Sequence, residues 1–361
     1  MIVWSLNMEI DYIKGIKSNE IFAMSKYEKE LQKCISSVKL NVIEYPDISD
    51  KINIISKYLL YPLIIRSKIR GSNIKHITSQ DLAFILNSLN FRKTIITCHD
   101  VIPWVYEKEH PFLWKKNAEG ILKADRLITV SDYSKKDIIK KLGFPEEKIR
   151  IIPPAIDHNI YYRNKSVNRG ILAKYGISED AKILLYVGSE RPRKNLPYLL
   201  KSIKSLKGDI ENVKFLKIGN AQMPGAREQL ISLAKKLHIE DDILFLDQVN
   251  ESELVDFYNI ADLFVFPSLY EGFGMPPLEA MACGCPVITS NVTSLPEVVS
   301  DAALTVDPTN MDEMVNAMYK VLTDKKLKEE LVHRGYDRAK KFTWESSAQR
   351  LLDVYQELDA I

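Results

Sequence analysis

The sequence predicts an α/β protein made of two parallel-sheet domains in tandem, on three observations. The chain has 361 residues, too many for one ordinary core and enough for two of about 150–200 residues each. Short apolar runs alternate with stretches of helical periodicity along most of its length, as strands joined by crossover helices do. The polar motifs follow directly on the apolar runs, where open parallel sheets bind their ligands. Two such units imply a cleft between them.

The elements read in order as follows. The opening MIVWSLNMEID has no basic leader region and no small-residue cleavage site, so it reads as a first strand and not a signal peptide. Ile74–Thr78 is a strand followed by a helix over Asp81–Leu89, and Thr94–Cys98 is a buried strand ending at His99. Arg126–Val130 leads into a helix, Ser131–Leu142, closed by Gly143, and Ile149–Ile152 is stopped by Pro153 and Pro154. The stretch Asp157–Lys182 is polar and irregular around Tyr161–Asn168. The first domain is therefore set at 1–165. A second series gives strands at Ile183–Val187, Val213–Ile218, Ile243–Phe245, Leu263–Phe266 and Pro286–Thr289. Helices over Leu196–Leu206, Ala226–Leu237, Glu251–Ile260 and Pro277–Ala282 alternate with them. This makes 166–335 the second domain. The remainder, 336–361, reads as one closing helix from Tyr336 to Leu358. No repeat and no low-complexity tract interrupts the series.

Composition narrows the class. Apolar residues are 46% and charged residues 27% of the chain, as in folded soluble proteins. No run approaches the roughly 18 apolar residues of a membrane span. The longest, Tyr58–Ile65, contains Pro62. Cys34, Cys98, Cys283 and Cys285 form no metal-binding spacing and read as four reduced thiols of a cytoplasmic protein. Residues 1–165 carry 27 Lys/Arg against 19 Asp/Glu, and the remainder 23 against 29. The basic half suits an anionic partner, such as a membrane surface or a phosphate-bearing acceptor; scattered solvated lysines explain it equally well. Lys51–Arg70, apolar with basic residues interspersed, fits peripheral contact with the inner membrane face, and an ordinary core helix fits it too. No nucleic-acid motif is visible, and nothing in the sequence sets the oligomeric state.

Three motifs carry chemistry. In Pro267–Ser290, PSLYEGFGMPPLEAMACGCPVITS, Glu271 and Glu279 flank the turn Gly272-Phe273-Gly274 and a helix start at Pro276-Pro277. Glycines admit a ligand close to the backbone, and free amides at a helix start favour an anion. A nucleotide sugar fits: loop amides to the diphosphate, one carboxylate to sugar hydroxyls and the other to ribose, with Glu279 in the helix's first turn. A helix-start glutamate serving the dipole, beside an unrelated loop glutamate, is the duller alternative. In YVGSERPRKN, Tyr186–Asn195, the cations Arg191, Arg193 and Lys194 follow Gly188 and suit a diphosphate. In ITCHDVIPW, His99 follows a strand end beside Asp100. His76 and Gln80 also follow a strand, and the same cleft is where they would lie. No Asp-x-Asp pair and no His/Asp/Glu set for a metal is present in the sequence.

The string EGFGMPPLEAMACGCPVI resembles the E-x7-E signature of retaining glycosyltransferase family 4, and its mannosyltransferase-type members most. The resemblance runs from about Asn73 to Tyr355 through ITVSDYSKKDI, IRIIPPAID, YVGSERPRKNLPYLLKSI, SLPEVVSDAALTVDP and FTWESSAQRLLDVY. It implies the GT-B fold, two Rossmann-like domains facing across a cleft. The closing helix would cross back to the first domain through Phe342, Trp344, Leu351, Leu352 and Tyr355. It implies metal-independent, retaining transfer from a nucleoside-diphosphate sugar, GDP-mannose before a UDP-sugar, to a glycan or lipid-linked acceptor. No cofactor is implied beyond that co-substrate. By the resemblance His99, Arg193, Lys194 and Glu271 are catalytic. Gly188, Arg193, Lys194, Gly272, Phe273, Gly274, Met275, Leu278 and Glu279 bind the donor. Many relatives have an arginine where this chain has Ser189, and Arg191 is the candidate replacement. The Gly-rich acceptor loop of many relatives is reduced to Lys14-Gly15-Ile16-Lys17-Ser18. A phosphorylase of the same fold and a non-catalytic sugar-nucleotide-binding module are the alternatives.

Overall fold

The computed structural model describes residues 8–15, 22–44, 56–71, 73–107, 111–164, 166 and 169–360. The start of the predicted first strand (1–7), Ile16–Ser18 of the short glycine loop and 51–55 of the basic segment lie outside the described residues. Two compact units are formed, one from Met1–Ala155 with Trp344–Ile361, the other from Ile156–Thr343.

Unit 1 contains β1 (Glu9–Ile13), α1 (Phe22–Cys34), β2 (Lys39–Ile43), α2 (Tyr61–Lys68), β3 (Ile74–Ile77), a 3-10 segment Gln80–Asn87, β4 (Thr94–Thr97), α3 (Pro111–Ile121), β5 (Arg126–Thr129), α4 (Asp132–Leu142) and β6 (Ile149–Ile151). The six strands form one parallel sheet in the order β2-β1-β3-β4-β5-β6. Covered parallel strands need apolar residues on both faces, which the isoleucine-rich β3, β4 and β5 supply. Ile13, Ile77, Ile96 and Leu127 pack with Leu82, Phe84 and Ile85 of the 3-10 segment and with Tyr61 and Ile65 of α2. Local signals set the ends of α4: Ser131 accepts from the Ser134 amide at 2.9 Å, and Gly143 closes it in the left-handed conformation at φ 69°. The helix expected over Asp81–Leu89 is the tighter 3-10 form.

Unit 2 contains β7 (Lys182–Val187), α5 (Leu196–Leu206), β8 (Val213–Ile218), α6 (Ala226–Leu237), β9 (Ile243–Leu246), α7 (Glu251–Ile260), β10 (Leu263–Phe266), α8 (Met275–Ala282), β11 (Val287–Ser290), α9 (Leu295–Val299), β12 (Leu304–Val306), α10 (Met311–Thr323) and α11 (Lys325–Ala339). Its parallel sheet runs β12-β11-β10-β7-β8-β9. This is the dinucleotide-binding strand order, and the chain reverses direction across the sheet between β7 and β10.

The closing segment is two helices, not one. α11 ends at Ala339, the chain turns, and α12 (Trp344–Asp359) begins. Phe342 in that turn packs edge-on against Phe273 at 5.8 Å, and its carbonyl accepts from the Ile156 amide at 3.2 Å. It therefore belongs to unit 2, and the contact with the first domain expected of it is corrected. The chain passes between units at 155/156 and 343/344, where sequence reading set the boundaries at 165 and 335. α12 packs in unit 1. Ser347 Oγ donates to the Pro153 carbonyl at 2.6 Å, and Glu357 pairs with Arg126 at 2.7 Å and Arg150 at 2.6 Å. Tyr355 Oη lies 2.7 Å from His76 Nδ1, and Thr97 Oγ1 lies 2.8 Å from His76 Nε2. No described helix is long and apolar enough to cross a membrane.

His76 is almost completely buried, so removing one of its two partners strands a polar nitrogen in the core. Tyr355→Phe should destabilise the protein by about 1–3 kcal/mol, read by urea denaturation. A loss below about 0.5 kcal/mol would show that the buried bond contributes nothing to holding α12.

Candidate active site

The two strands that border the switch point in unit 2 carry the two motifs. After β7 the chain passes Gly188 into the loop that ends in the turn Pro192–Lys194. After β10 it enters Pro267–Gly274. The loops are joined by their backbones, the Leu269 amide donating to the Arg193 carbonyl at 2.7 Å. Side chains meet at Glu271. Lys194 Nζ lies 2.6 Å from its Oε1, Arg193 Nη1 2.9 Å from its Oε2, and Arg193 also donates to the Tyr270 carbonyl at 3.0 Å. Lys194 Nζ sits 4.7 Å from the centre of the Phe266 ring, a cation–π contact. Burial opposes the charge on Glu271, but the two cations outweigh it and hold the carboxyl below the usual carboxylate range.

The turn before α8 is shaped by Gly274. Its φ is 111°, and a Cβ there would stand 2.7 Å from Leu295 Cδ2, so both conformation and space demand glycine. Ser294 Oγ is 3.0 Å from the Glu271 carbonyl and 2.8 Å from that of Phe273, and the Glu271 amide donates to Thr293 Oγ1 at 3.3 Å. α8 begins at Met275 with Gly274 as its N-cap. The first four amides of a helix lack partners within it, but Pro276 and Pro277 have none to offer, so only Gly274 and Met275 can donate to an anion there. Glu279 consequently falls in the second turn, one turn later than expected. Tyr258 of α7 donates to its Oε2 at 3.0 Å. Leu278 is completely buried and packs in the core, so its side chain faces no surface.

At Gly188, φ is 149° and a Cβ would meet Tyr186 Oη at 2.8 Å. Ser189 is buried, its carbonyl accepting from Tyr186 Oη at 3.0 Å. Arg191 opens the basic turn, its carbonyl accepting from the Lys194 amide at 2.8 Å.

His99 belongs to unit 1, after β4. Its amide donates to Gln80 Oε1 at 3.1 Å, and its ring meets Tyr27 edge-on at 4.9 Å. Burial lowers its pKa to about 4, and that of His76 to about 3, so both rings are neutral at pH 7. Gln80 thus sets the backbone of His99. His76 has both nitrogens engaged in the core and does not line a surface, contrary to the sequence expectation.

Sequence reading singled out Glu271, Glu279, Arg193, Lys194 and His99, and the fold brings Arg193 and Lys194 onto Glu271. It missed Tyr258, Thr293, Ser294 and Tyr27, which hold them, and named Gln80 only as lining the cleft, not as the partner of the His99 amide. Hydroxyl and amide side chains carry no periodicity, and only proximity in the fold reveals their partners. Among the described residues no three His, Cys, Asp or Glu gather as a metal set.

Two parallel-sheet units, one of them with carboxylates and cations at the switch point of its sheet, form an architecture in which many enzymes bind nucleotides. Comparison with known proteins makes it specific. A family described as glycosyl transferases group 1 matches residues 168–338, and one described as glycosyltransferase family 4 matches 38–160. O-antigen chain mannosyltransferase B of Escherichia coli is 32% identical over 271 residues, covering 74% of this chain and 71% of that protein. The serotype-specific mannosyltransferase WbdA of Escherichia coli is 29% identical over 285 residues, covering 74% of this chain; the chain spans only about a third (35%) of its length. The solved structure of a sucrose-phosphate synthase from Thermosynechococcus elongatus superposes with a TM-score of 0.80 at 20% identity, over 98% of this chain and 100% of that one, a likeness of fold. The chain belongs to glycosyltransferase family 4, has the GT-B fold, and is a glycosyltransferase.

The buried histidines give unit 1 a pH dependence. Unfolded, each binds a proton near pH 6.5; folded, only near pH 3 and 4. The unfolded chain therefore holds more protons between about pH 6.5 and 4, and stability falls as pH falls through that window. Each histidine contributes up to about 1.4 kcal/mol per pH unit. Urea denaturation of the wild type and of His99→Gln between pH 4 and 7 should give a shallower slope for the variant. Equal slopes would mean that His99 is not held neutral.

Proposed function

We propose that the chain transfers mannose from GDP-mannose, in preference to a sugar from a UDP donor, to a glycan or lipid-linked acceptor, retaining anomeric configuration and using no catalytic metal. The observation that carries this reading is the meeting of Arg193, Lys194 and Glu271 at the switch point of unit 2. Mannosyltransferase relatives favour mannose.

On this reading the diphosphate lies against Arg193, Lys194 and the Gly274 and Met275 amides. As the glycosidic bond breaks, negative charge grows on the departing phosphate, and cations already fixed there stabilise the transition state more than the ground state. Glu271 has two tasks. It keeps both cations in place, and it stands where the transferred sugar's hydroxyls would be read. Glu279, held by Tyr258, binds ribose. The neutral His99 ring contacts the transferred sugar, and the departing phosphate takes the acceptor's proton.

Exposed leucines just before and within α2 fit the acceptor side of this reading. Leu59, Leu60 and Leu63 are 64%, 45% and 63% exposed, while Tyr61 and Ile65 are buried in the core. Over 56–70 the sequence has Lys57, Arg66, Lys68 and Arg70 and no carboxylate. Leucines beside cations suit an anionic lipid surface, where a lipid-linked acceptor would be met. Flotation with phosphatidylglycerol-containing vesicles should retain the wild type and lose a Leu59→Ser/Leu60→Ser/Leu63→Ser variant; equal recovery of both removes this surface.

The transfer itself is tested with GDP-mannose, UDP-glucose and UDP-N-acetylglucosamine, by thermal shift and then by turnover. Lys194→Ala and Arg193→Ala should each lower kcat about 10²–10³-fold, with smaller changes in donor affinity. Activity should survive EDTA, and NMR should find the product anomer unchanged from the donor. Unaltered kcat in both variants, an inverted anomer, or loss in EDTA restored by Mn²⁺ would overturn the corresponding part.

A further inference from the structure

Unit 2 buries a second charged cluster beside the first. Glu190, in the β7 loop, and Lys217, near the end of β8, both have wholly buried side chains, with Lys217 Nζ 2.5 Å from Glu190 Oε1. Arg227 of α6 donates through Nε to the same oxygen, and its Nη2 reaches the Gly219 carbonyl at 3.1 Å and Asp247 Oδ1 at 3.1 Å. Lys217 also donates to the Gly219 carbonyl. Glu190 Oε2 is buried with no hydrogen-bond partner among the described residues.

This is a costly way to fill a core. Removing two ions from water costs several kcal/mol each, and well-packed apolar side chains of similar size are often as stable or more so. An unpartnered carboxylate oxygen adds to the penalty. What the ions supply and apolar side chains cannot is fixed distance and direction. Only Arg191 and Pro192 separate Glu190 from Arg193. The loop they share abuts β8 at the backbone: the Gly188 amide donates to the Ile218 carbonyl at 2.8 Å, the Glu190 amide to the Ala221 carbonyl at 3.1 Å, and a Cβ on Gly219 would lie 2.6 Å from the Gly188 oxygen.

We propose that Glu190 is a positioning residue for sugar transfer: gripped by Lys217 and Arg227, it clamps the β7 loop to β8 and α6 and thereby sets where Arg193 and Lys194 present their charge. It rests on the reading that this loop meets the donor diphosphate. Sequence reading left Glu190 unused, although Lys217 interrupts the otherwise apolar, buried second half of β8, FLKI, and so signals a buried partner.

The test replaces the ion pair by apolar side chains of similar length, Glu190→Met with Lys217→Met, and separately removes only the charge, Glu190→Gln. The double variant should melt no lower than the wild type, yet lose at least tenfold in kcat and bind free GDP and UDP at least fivefold more weakly by calorimetry. Amide hydrogen exchange should accelerate over 188–195 and stay unchanged in the rest of unit 2. Glu190→Gln should move the same quantities in the same direction, and decides the matter if the double variant does not fold. Wild-type kcat, diphosphate affinity and exchange within twofold in the variants would overturn the proposal. So would exchange accelerated throughout unit 2 with a lowered Tm and unchanged kcat, which is a structural role alone. If the wild type binds neither diphosphate, the functional reading fails, and exchange over 188–195 still decides whether Glu190 clamps the loop.

Discussion

A single buried carboxylate organises the centre of unit 2. Glu271 has Lys194 on one oxygen and Arg193 on the other, so a buried carboxylate holds one buried and one part-buried cation. A charge left alone in such surroundings would be strongly destabilising, whereas paired and hydrogen-bonded it is tolerated. The pairing ties the loop after β7 to the loop after β10, and these loops leave the two strands where the sheet reverses its winding. Thr293 and Ser294 secure the glutamate's backbone from a third loop. On the proposed reading, two cations are thereby held, already oriented, where a ligand's anion would arrive, so that little reorganisation remains for the reaction.

Beside this centre stands a second pairing of the same kind, Glu190 with Lys217 and Arg227. The basic loop is thus held by ions at both ends, one set near the switch point and the other at β8. Neither pairing is the cheapest way to fill space. What the two pairings fix is the position of the loop between them.

Unit 1 treats its two histidines differently although one lies in a parallel strand, β3, the other just after the next, β4, and both are neutral at pH 7. His76 is bonded on both nitrogens, to Tyr355 of the final helix and Thr97 of β4. It works as a joint between α12 and the sheet. His99 has its amide held by Gln80 and its ring placed against Tyr27. The first is fully spent on structure; the second is oriented without being so consumed. Nothing in the neighbouring residues, IKHIT and TCHDV, separates them.

The sequence by itself determined the class of fold and most of its elements, because hydrophobic period and helix-end residues are local. Leu196–Leu206, Val213–Ile218, Ala226–Leu237, Glu251–Ile260 and Leu263–Phe266 stand where the pattern put them. The motif residues Arg193, Lys194, Glu271 and Glu279 were also legible, since charged side chains after buried strands are conspicuous, and so was family membership. Tertiary structure alone decided the rest. It broke the closing helix between Ala339 and Trp344, where Phe342 turns its ring onto Phe273. It set Glu279 in the second turn of α8, since the helix starts from Gly274 before the prolines. It put Arg193 and Lys194 on Glu271, where spacing along the chain had separated a phosphate pair from a sugar-binding carboxylate. Pairings between residues about 80 positions apart leave no trace in local period. They exist only once strand order brings β7 beside β10, and strand order is set by how the whole sheet buries its faces.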